Sequence, residues 1–129
     1  MPFGVLARTA PDAGDPKLRG RTYSIPFHTV WEAALKLAGG GLKRWHIVQE
    51  DETDGLIRAE AKTFVRKRVS EIEVRIILDQ DAQTRVDMTS ERRNGAFDWG
   101  ANTRHIIRFF TALDRELARP RTERAKSTS

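Results

Sequence analysis

The residues VSEIEVRIIL, from Val69 to Leu78, alternate between apolar and charged side chains. A period of two is typical of a β-strand that buries one face and exposes the other. The buried face is predicted to carry Ile72, Val74, Ile76 and Leu78. The opposite, hydrated face is predicted to carry Glu71, Glu73 and Arg75. This stretch therefore predicts a sheet with one apolar face and one charged face.

Three further stretches share this period and predict neighbouring strands, at residues 45–50, 56–64 and 84–91. Asp54-Gly55 separates the first two and is typical of a tight hairpin turn. Strands joined by short turns pair in the antiparallel direction. Acidic and basic residues alternate along the outward faces, which predicts a hydrated surface with opposite charges paired across the strands.

Two stretches with a period of about 3.6 residues flank these strands and predict helices. The first follows Pro26 and ends at Gly39-Gly40-Gly41, where glycine permits a left-handed backbone. Its apolar stripe consists of Phe27, Val30, Trp31, Ala34, Leu35 and Ala38. The second is predicted from about Asp98 to Ala118, with a stripe of Ile106, Phe109, Phe110, Leu113 and Leu117. Pro120 ends it, because proline cannot continue a helix.

A short strand at residues 22–25 precedes the first helix, so the predicted order is strand, helix, four strands, helix. This order predicts an α+β fold in which a curved antiparallel sheet of about five strands packs on a long C-terminal helix, an arrangement called helix-grip. Residues 1–20, rich in proline and glycine, are predicted to form a flexible N-terminal arm. Residues 21–118 form the single domain, and residues 119–129 a basic disordered tail.

The net charge of the chain is +5, and most of it lies in the two terminal segments. Residues 1–20 carry three bases and two acids, and residues 119–129 carry four bases and one acid. Residues 21–118 therefore have a net charge of only +1. A nucleic-acid-binding domain concentrates positive charge on its folded body, so this distribution disfavours a nucleic-acid partner.

Several classes of site are disfavoured by composition and spacing. Cysteine is absent, which excludes disulfides and thiolate chemistry. No apolar run approaches the ~20 residues of a membrane-spanning helix, and no secretory signal is apparent, so we expect a soluble cytoplasmic domain. The histidines, His28, His46 and His105, lack metal-ligand spacing, and no nucleophile motif or phosphate loop is present. We therefore expect no metal, no cofactor and no enzymatic activity.

The segment SERRNGAFDWGAN, residues 90–102, joins the last strand to the last helix. Written as S-x-x-R-x-G-x-x-D-x-G-x-N, it resembles the uncharacterised bacterial and plastid family known as domain of unknown function 1499. Other features agree with that family in order, namely Ile25-Pro26, Trp31, Trp45, Gly55-x-Ile57-x-Ala59 and Arg85-Val86-Asp87. The resemblance covers about residues 21–117.

The resemblance implies no established activity, because the family has none. Family members often follow a membrane-anchoring segment, which is not expected here. One position departs from the family pattern. The arginine that tends to precede the first isoleucine of the helix is replaced by His105, with Arg104 beside it.

The candidate ligand-binding residues are Arg93, Asp98, Asn102 and Arg104. Asp98 and Asn102 are four residues apart and share one helix face, and free N–H groups at a helix start attract anions. One hypothesis is therefore a site for a small anion or polar ligand. The alternative is structural, with Arg93 and Asp98 forming an ion pair and Asn102 satisfying backbone groups at a strand end.

Two functions from different classes follow. The first is a non-enzymatic protein-interaction or self-association module, with Trp99, Ile77 and Phe64 as its candidate surface. Dimerisation through the outer sheet face predicts that Ile77→Glu yields a monomer. The second is a carrier of a small apolar or anionic molecule near the start of the C-terminal helix, and its apolar version needs a cavity above ~300 Å³ beneath that helix.

Overall fold

The computed structural model describes residues 6–8, 20–63, 69–92 and 101–119. Within them the strands are β1 (Leu6–Arg8), β2 (Arg21–Tyr23), β3 (Trp45–Asp51), β4 (Leu56–Lys62), β5 (Val69–Leu78) and β6 (Thr84–Arg92). The helices are α1 (Phe27–Lys36), which continues into a π-helical turn at Leu37–Gly41, and α2 (Ala101–Ala118). The predicted α+β class, antiparallel sheet and C-terminal helix are confirmed. The curvature implied by the helix-grip arrangement stays a prediction.

The strands form one antiparallel sheet in the order β3, β4, β5, β6 and then the two N-terminal strands. β1 and β2 lie along the same edge of β6, because Leu6–Arg8 pairs with Thr89–Glu91 and Arg21–Tyr23 pairs with Thr84–Val86. The described strands thus occupy five positions across the sheet. β1 lies within the stretch for which the sequence predicts an arm, since three residues are too few to show a period of two.

Both helices pack on one face of the sheet and form a single apolar core with it. The stripe predicted for α2 is confirmed, because all five of its residues are buried. Phe109 stacks on Trp45 with their ring centroids 5.8 Å apart, and it meets Phe110 edge to face. Full burial of a large apolar side chain contributes about 1.5–3 kcal/mol. The α2 stripe therefore holds the helix firmly on the sheet.

The predicted inward position of Leu78 is wrong, since this side chain is 60% exposed. β4 begins at Leu56, opposite Arg75, so the last residues of β5 extend beyond it. Leu78 then has a strand neighbour on one side only, Thr84 of β6. Alternation assigns a face to a residue, but burial also needs neighbours on that face.

The hairpin predicted at Asp54-Gly55 is confirmed between β3 and β4. Gly55 adopts a φ of +66°, and a Cβ at this position would lie 2.0 Å from the carbonyl oxygen of Ile76. The Ile76 N–H donates to the Gly55 oxygen at 2.8 Å. Glycine is required because only it tolerates both the left-handed backbone and this close approach.

Candidate functional site

Of the four residues predicted to form a ligand site, Asn102 and Arg104 lie within the described ranges. Arg93 and Asp98 lie outside the described residues. Asn102, in the first turn of α2, is 1% exposed and faces the sheet, whereas Arg104 is exposed. Two positions along a helix correspond to a rotation of roughly 200°. Asn102 and Arg104 therefore point to opposite sides of α2 and do not converge on one site.

A buried hydrogen-bond chain joins β6 to the first turns of α2. The Ser90 hydroxyl donates to Asn102 Oδ1 at 2.7 Å, and its oxygen lies 3.4 Å from His105 Nδ1. Because the one proton of Ser90 is engaged with Asn102, a hydrogen bond between Ser90 and His105 requires the tautomer of His105 that carries a proton on Nδ1. The Trp45 ring meets the His105 ring edge-on, with 5.9 Å between centroids. Ser90 is therefore the central member of the chain and contacts both His105 and Asn102.

Ser70 lies on the same face of the sheet and has no hydrogen-bond partner for its hydroxyl among the described residues. Its side chain is 1% exposed. Ile72, two residues further along β5, is opposite Ser90 in the ladder, so Ser70 and Ser90 are diagonal neighbours. A buried hydroxyl left without a partner costs about 1–3 kcal/mol. We call Ser70, Ser90, Asn102 and His105 the polar cluster.

Sequence reasoning misses Ser70 and His105, although a signal for each is present. Ser70 continues the inward series of β5, two residues before Ile72. His105 continues the buried stripe of α2, directly before Ile106. Small polar or titratable residues at positions that a period assigns to the core are uncommon and need partners. A polar residue at a position that the periodicity assigns to the core would therefore have identified Ser70 and His105 from the sequence.

The opposite face of the sheet carries a depression of about 320 Å³. It extends from Val48 and Gln49 on β3, across β4 and β5, to Thr89 and Glu91 on β6. A β-bulge between Ile47 and Gln49 interrupts the ladder at Val48, whose side chain is 60% exposed. Both described helices pack on the other face, so neither of them covers this depression.

Charged side chains from three strands line this depression. Glu60, Glu71 and Glu91 are directly opposite one another across β4, β5 and β6. In the next row Arg58 is opposite Glu73, with 3.6 Å between Arg58 Nε and Glu73 Oε1. Four carboxylates and one guanidinium are therefore in its lining. We call it the acidic depression.

The prediction of opposite charges across the strands is confirmed for Arg58 and Glu73 but is wrong for the row of three glutamates. Alternation along one strand does not determine the register between strands, and the register decides which charges meet. Like charges directly opposite each other are destabilising. The glutamate row is therefore a feature that only the pairing of strands reveals.

Polar contacts also tie the second half of α2 to β2. The Tyr23 hydroxyl donates to Asp114, and Arg21 Nε lies 3.4 Å from the same carboxylate. The Arg21 guanidinium lies 5.0 Å above the centre of the Phe110 ring. Burial, reinforced by the hydrogen bond to Asp114, raises the pKa of Tyr23 well above its usual range. These contacts hold two elements together and leave the tyrosine neutral.

Glu116 connects the C-terminal ends of the two helices. Its carboxylate accepts hydrogen bonds from Lys36 at 2.9 Å and Arg119 at 3.0 Å. Burial alone would raise the pKa of Glu116, but the two cationic donors outweigh burial and hold it below its ordinary value. The arrangement is a structural clamp between α1 and α2.

Comparison with known families gives a clear assignment. A family model described as a protein of unknown function, DUF1499, matches residues 6–113 of the 129. The chain belongs to the DUF1499 family. The match includes β1, all of the sheet and α2 as far as Leu113, and it confirms the resemblance seen in the sequence. No match was found among curated proteins or among solved structures.

One residue of the predicted interaction surface lies in the described part of the DUF1499 domain. Ile77 points outward from β5 and is 47% exposed, next to the exposed Leu78. Phe64 and Trp99 lie outside the described residues. Exposed apolar side chains in this part of the DUF1499 domain are therefore found at the end of β5 and, through Val48, at the acidic depression.

Metal binding and membrane insertion can be assessed for the described ranges of the DUF1499 domain. Across them, histidine and acidic side chains form no group of three or more that could hold a metal ion. Of the two helices in the same ranges, neither has the length and apolar character needed to cross a membrane.

Proposed function

We propose that this domain is a non-enzymatic self-association module, in which the basic segment 119–129 of one copy binds the acidic depression of another. The depression is the observation that carries the proposal, because it is open, uncovered by either described helix and lined by four carboxylates against one guanidinium. Arg119 is already bound to Glu116, and beyond it residues 120–129 carry three bases and one acid. Complementary charge of this kind steers association and sets its register.

Symmetry favours this exchange of basic segments over contact between two sheet faces. A two-fold interface places the same patch of both copies in contact. Face-to-face packing with the two-fold axis at the depression would therefore oppose the glutamates of one copy to the glutamates of the other, which is repulsive. Reciprocal exchange of the segment 119–129 also gives a symmetric dimer, but it places the basic side chains of each copy next to the acidic side chains of the other.

The length of the segment is compatible with this exchange. α2 ends at Ala118, and residues 120–129 span at most roughly 33–36 Å when fully extended. Such a reach allows the segment to contact a depression on a neighbouring copy. Exposed ion pairs are screened by salt, so the association should weaken as ionic strength rises. Val48 supplies an apolar contact within the depression.

The test is the molar mass of the full chain by light scattering over a concentration series. We expect a dimer at about 0.05 M salt and dissociation towards monomer at about 0.5 M salt, where screening is stronger. The double variant Arg121→Glu/Arg124→Glu should be monomeric. Arg108→Glu/Arg115→Glu is the matched control, because it changes the net charge equally at two exposed positions of α2.

Two results would contradict the proposal. One is a parent chain that is monomeric at every concentration. The other is an α2 control that dissociates the dimer as strongly as the tail variant does. A rescue experiment tests whether the two regions contact each other. Adding Glu71→Lys/Glu91→Lys to the tail variant Arg121→Glu/Arg124→Glu reverses the charge on both sides of the contact and should restore association.

A second candidate function, a carrier of a small ligand, is supported by a different observation. The apolar version has little support, because Trp45 and Phe109 stack in the space where such a ligand would lie. The anionic version is supported by the polar cluster, in which the buried Ser70 hydroxyl has no partner among the described residues.

A further inference from the structure

We infer that the polar cluster beneath the first turns of α2 binds a small oxyanion of the phosphate class, with the Ser70 hydroxyl as a donor to it. This inference rests on the second candidate function and is independent of self-association. Ser70 is buried on the inner face of the sheet, where its hydroxyl has no partner within the described ranges. A hydroxyl in that situation needs an acceptor.

The neighbouring hydroxyl is already used. Ser90 donates its proton to Asn102, and it lies 3.4 Å from His105 Nδ1. One hydroxyl can donate only one hydrogen bond. Of the two serines in the cluster, Ser70 is therefore the one whose proton is left for a ligand.

The position of the cluster favours an anion over a cation or a neutral molecule. Asn102 places the cluster at the first turn of α2, a helix of 18 residues. Backbone N–H groups and the helix dipole make a helix N-terminus attractive to negative charge. Phosphate and related oxyanions accept several hydrogen bonds at once, so the Ser70 hydroxyl can serve as one of the donors.

The sequence around the cluster is basic on both strands that contribute to it. Arg66, Lys67 and Arg68 precede Ser70 by two to four residues. Arg92 is opposite Ser70 in the ladder, and Arg93 follows it. In the sequence, five cationic residues thus lie within four positions of Ser70 or Ser90, a composition that favours an anionic ligand over a cationic one.

The experiment compares inorganic phosphate with chloride at equal ionic strength, on the full chain, by thermal unfolding and calorimetric titration. The parent should gain thermal stability with phosphate beyond that with chloride. Ser70→Ala should bind phosphate about tenfold more weakly, the effect of losing one hydrogen bond to a charged group. It should also unfold at a higher temperature than the parent in phosphate-free buffer, because it removes a buried hydroxyl without a partner.

Two control variants make the outcome specific. Ser24→Ala removes an exposed hydroxyl that accepts a hydrogen bond from Gln83, and it should respond to phosphate as the parent does. Arg121→Glu/Arg124→Glu tests the basic tail as a competing anion site and should keep the full phosphate response. This variant also separates the two proposals, since it should abolish self-association while leaving phosphate binding intact.

Three results would overturn the inference. The first is a parent whose stability rises equally with phosphate and chloride. The second is a Ser70→Ala variant with the phosphate affinity of the parent. The third is a tail variant that loses the phosphate response, which would place the anion on residues 119–129.

Discussion

The two faces of the sheet are built from alternate residues of the same strands. They differ in the contacts that their side chains make. On the inner face, Val74 and Ile76 are buried in a core shared with both helices. On the outer face, Glu73 is ion-paired with Arg58 of β4 and with Arg75 of its own strand. The inner face is fixed by close packing, whereas neither described helix covers the outer face. The proposed interaction surface therefore lies on the opposite side of the same strands from the core that stabilises the fold.

The largest effect on the free energy of unfolding should come from a cavity in the core at Phe109. Phe109→Ala removes a fully buried ring that stacks on Trp45 and should lower the free energy of unfolding by about 3–5 kcal/mol. Denaturant unfolding measures this loss. Thr89→Ala, at the rim of the acidic depression, is the outer-face control and should change the free energy by less than about 0.5 kcal/mol. Equal losses of unfolding free energy in the two variants would contradict the difference between the two faces.

A smaller effect should follow from neutralising Glu116, which joins α1 to α2. Glu116→Gln weakens two hydrogen bonds to cations and should cost about 1–2 kcal/mol at neutral pH. The pKa of Glu116 is lowered by Lys36 and Arg119 despite burial. Its contribution is therefore present above the unfolded pKa of about 4.3 and is lost as pH falls through the lower folded value.

Unfolding midpoints of parent and Glu116→Gln should accordingly differ at pH 7 and converge in strong acid. Glu32→Gln is the matched control, because Glu32 pairs with His28 on the exposed side of α1. It should shift the midpoint little at either pH. A Glu116 difference that persists unchanged in strong acid would show that the carboxylate charge is not responsible.

The smallest effect on stability should come from Ile77, next to the buried Ile76 but on the outer face. Ile77→Glu should change the free energy of unfolding by less than about 0.5 kcal/mol, because the side chain is half exposed. It also distinguishes two modes of association by light scattering. Since Ile77 lies outside the acidic depression, tail exchange predicts an unchanged dimer, whereas packing of two sheet faces predicts a monomer.

Periodicity predicts the elements well, because burial of one face or one stripe leaves a direct trace in the sequence. The apolar stripe of α2 and the hairpin at Gly55 are read correctly for this reason. β1 leaves no such trace, since its pairing with β6 joins residues far apart in the chain. Leu78 is misassigned because the end of β4, rather than the pattern of β5, decides its exposure.

The candidate sites are harder to predict, because they depend on the register between strands and on where α2 packs on the sheet. Asn102 is identifiable from its signature, but its hydrogen bond with Ser90 appears only when α2 is placed on the sheet. The row of Glu60, Glu71 and Glu91 is invisible from any one strand. Two of the predicted site residues, Arg93 and Asp98, remain predictions outside the described residues.

The central claim is that the outer face receives the basic segment of a second copy, and a cross-linking measurement tests it most directly. The chain contains no cysteine, so Glu91→Cys and Arg124→Cys can be made in separate copies and mixed under mild oxidation. The account predicts a disulfide-linked heterodimer in far higher yield than for Glu91→Cys mixed with Arg108→Cys. Equal yields from the two mixtures, or no cross-link in either, would contradict it.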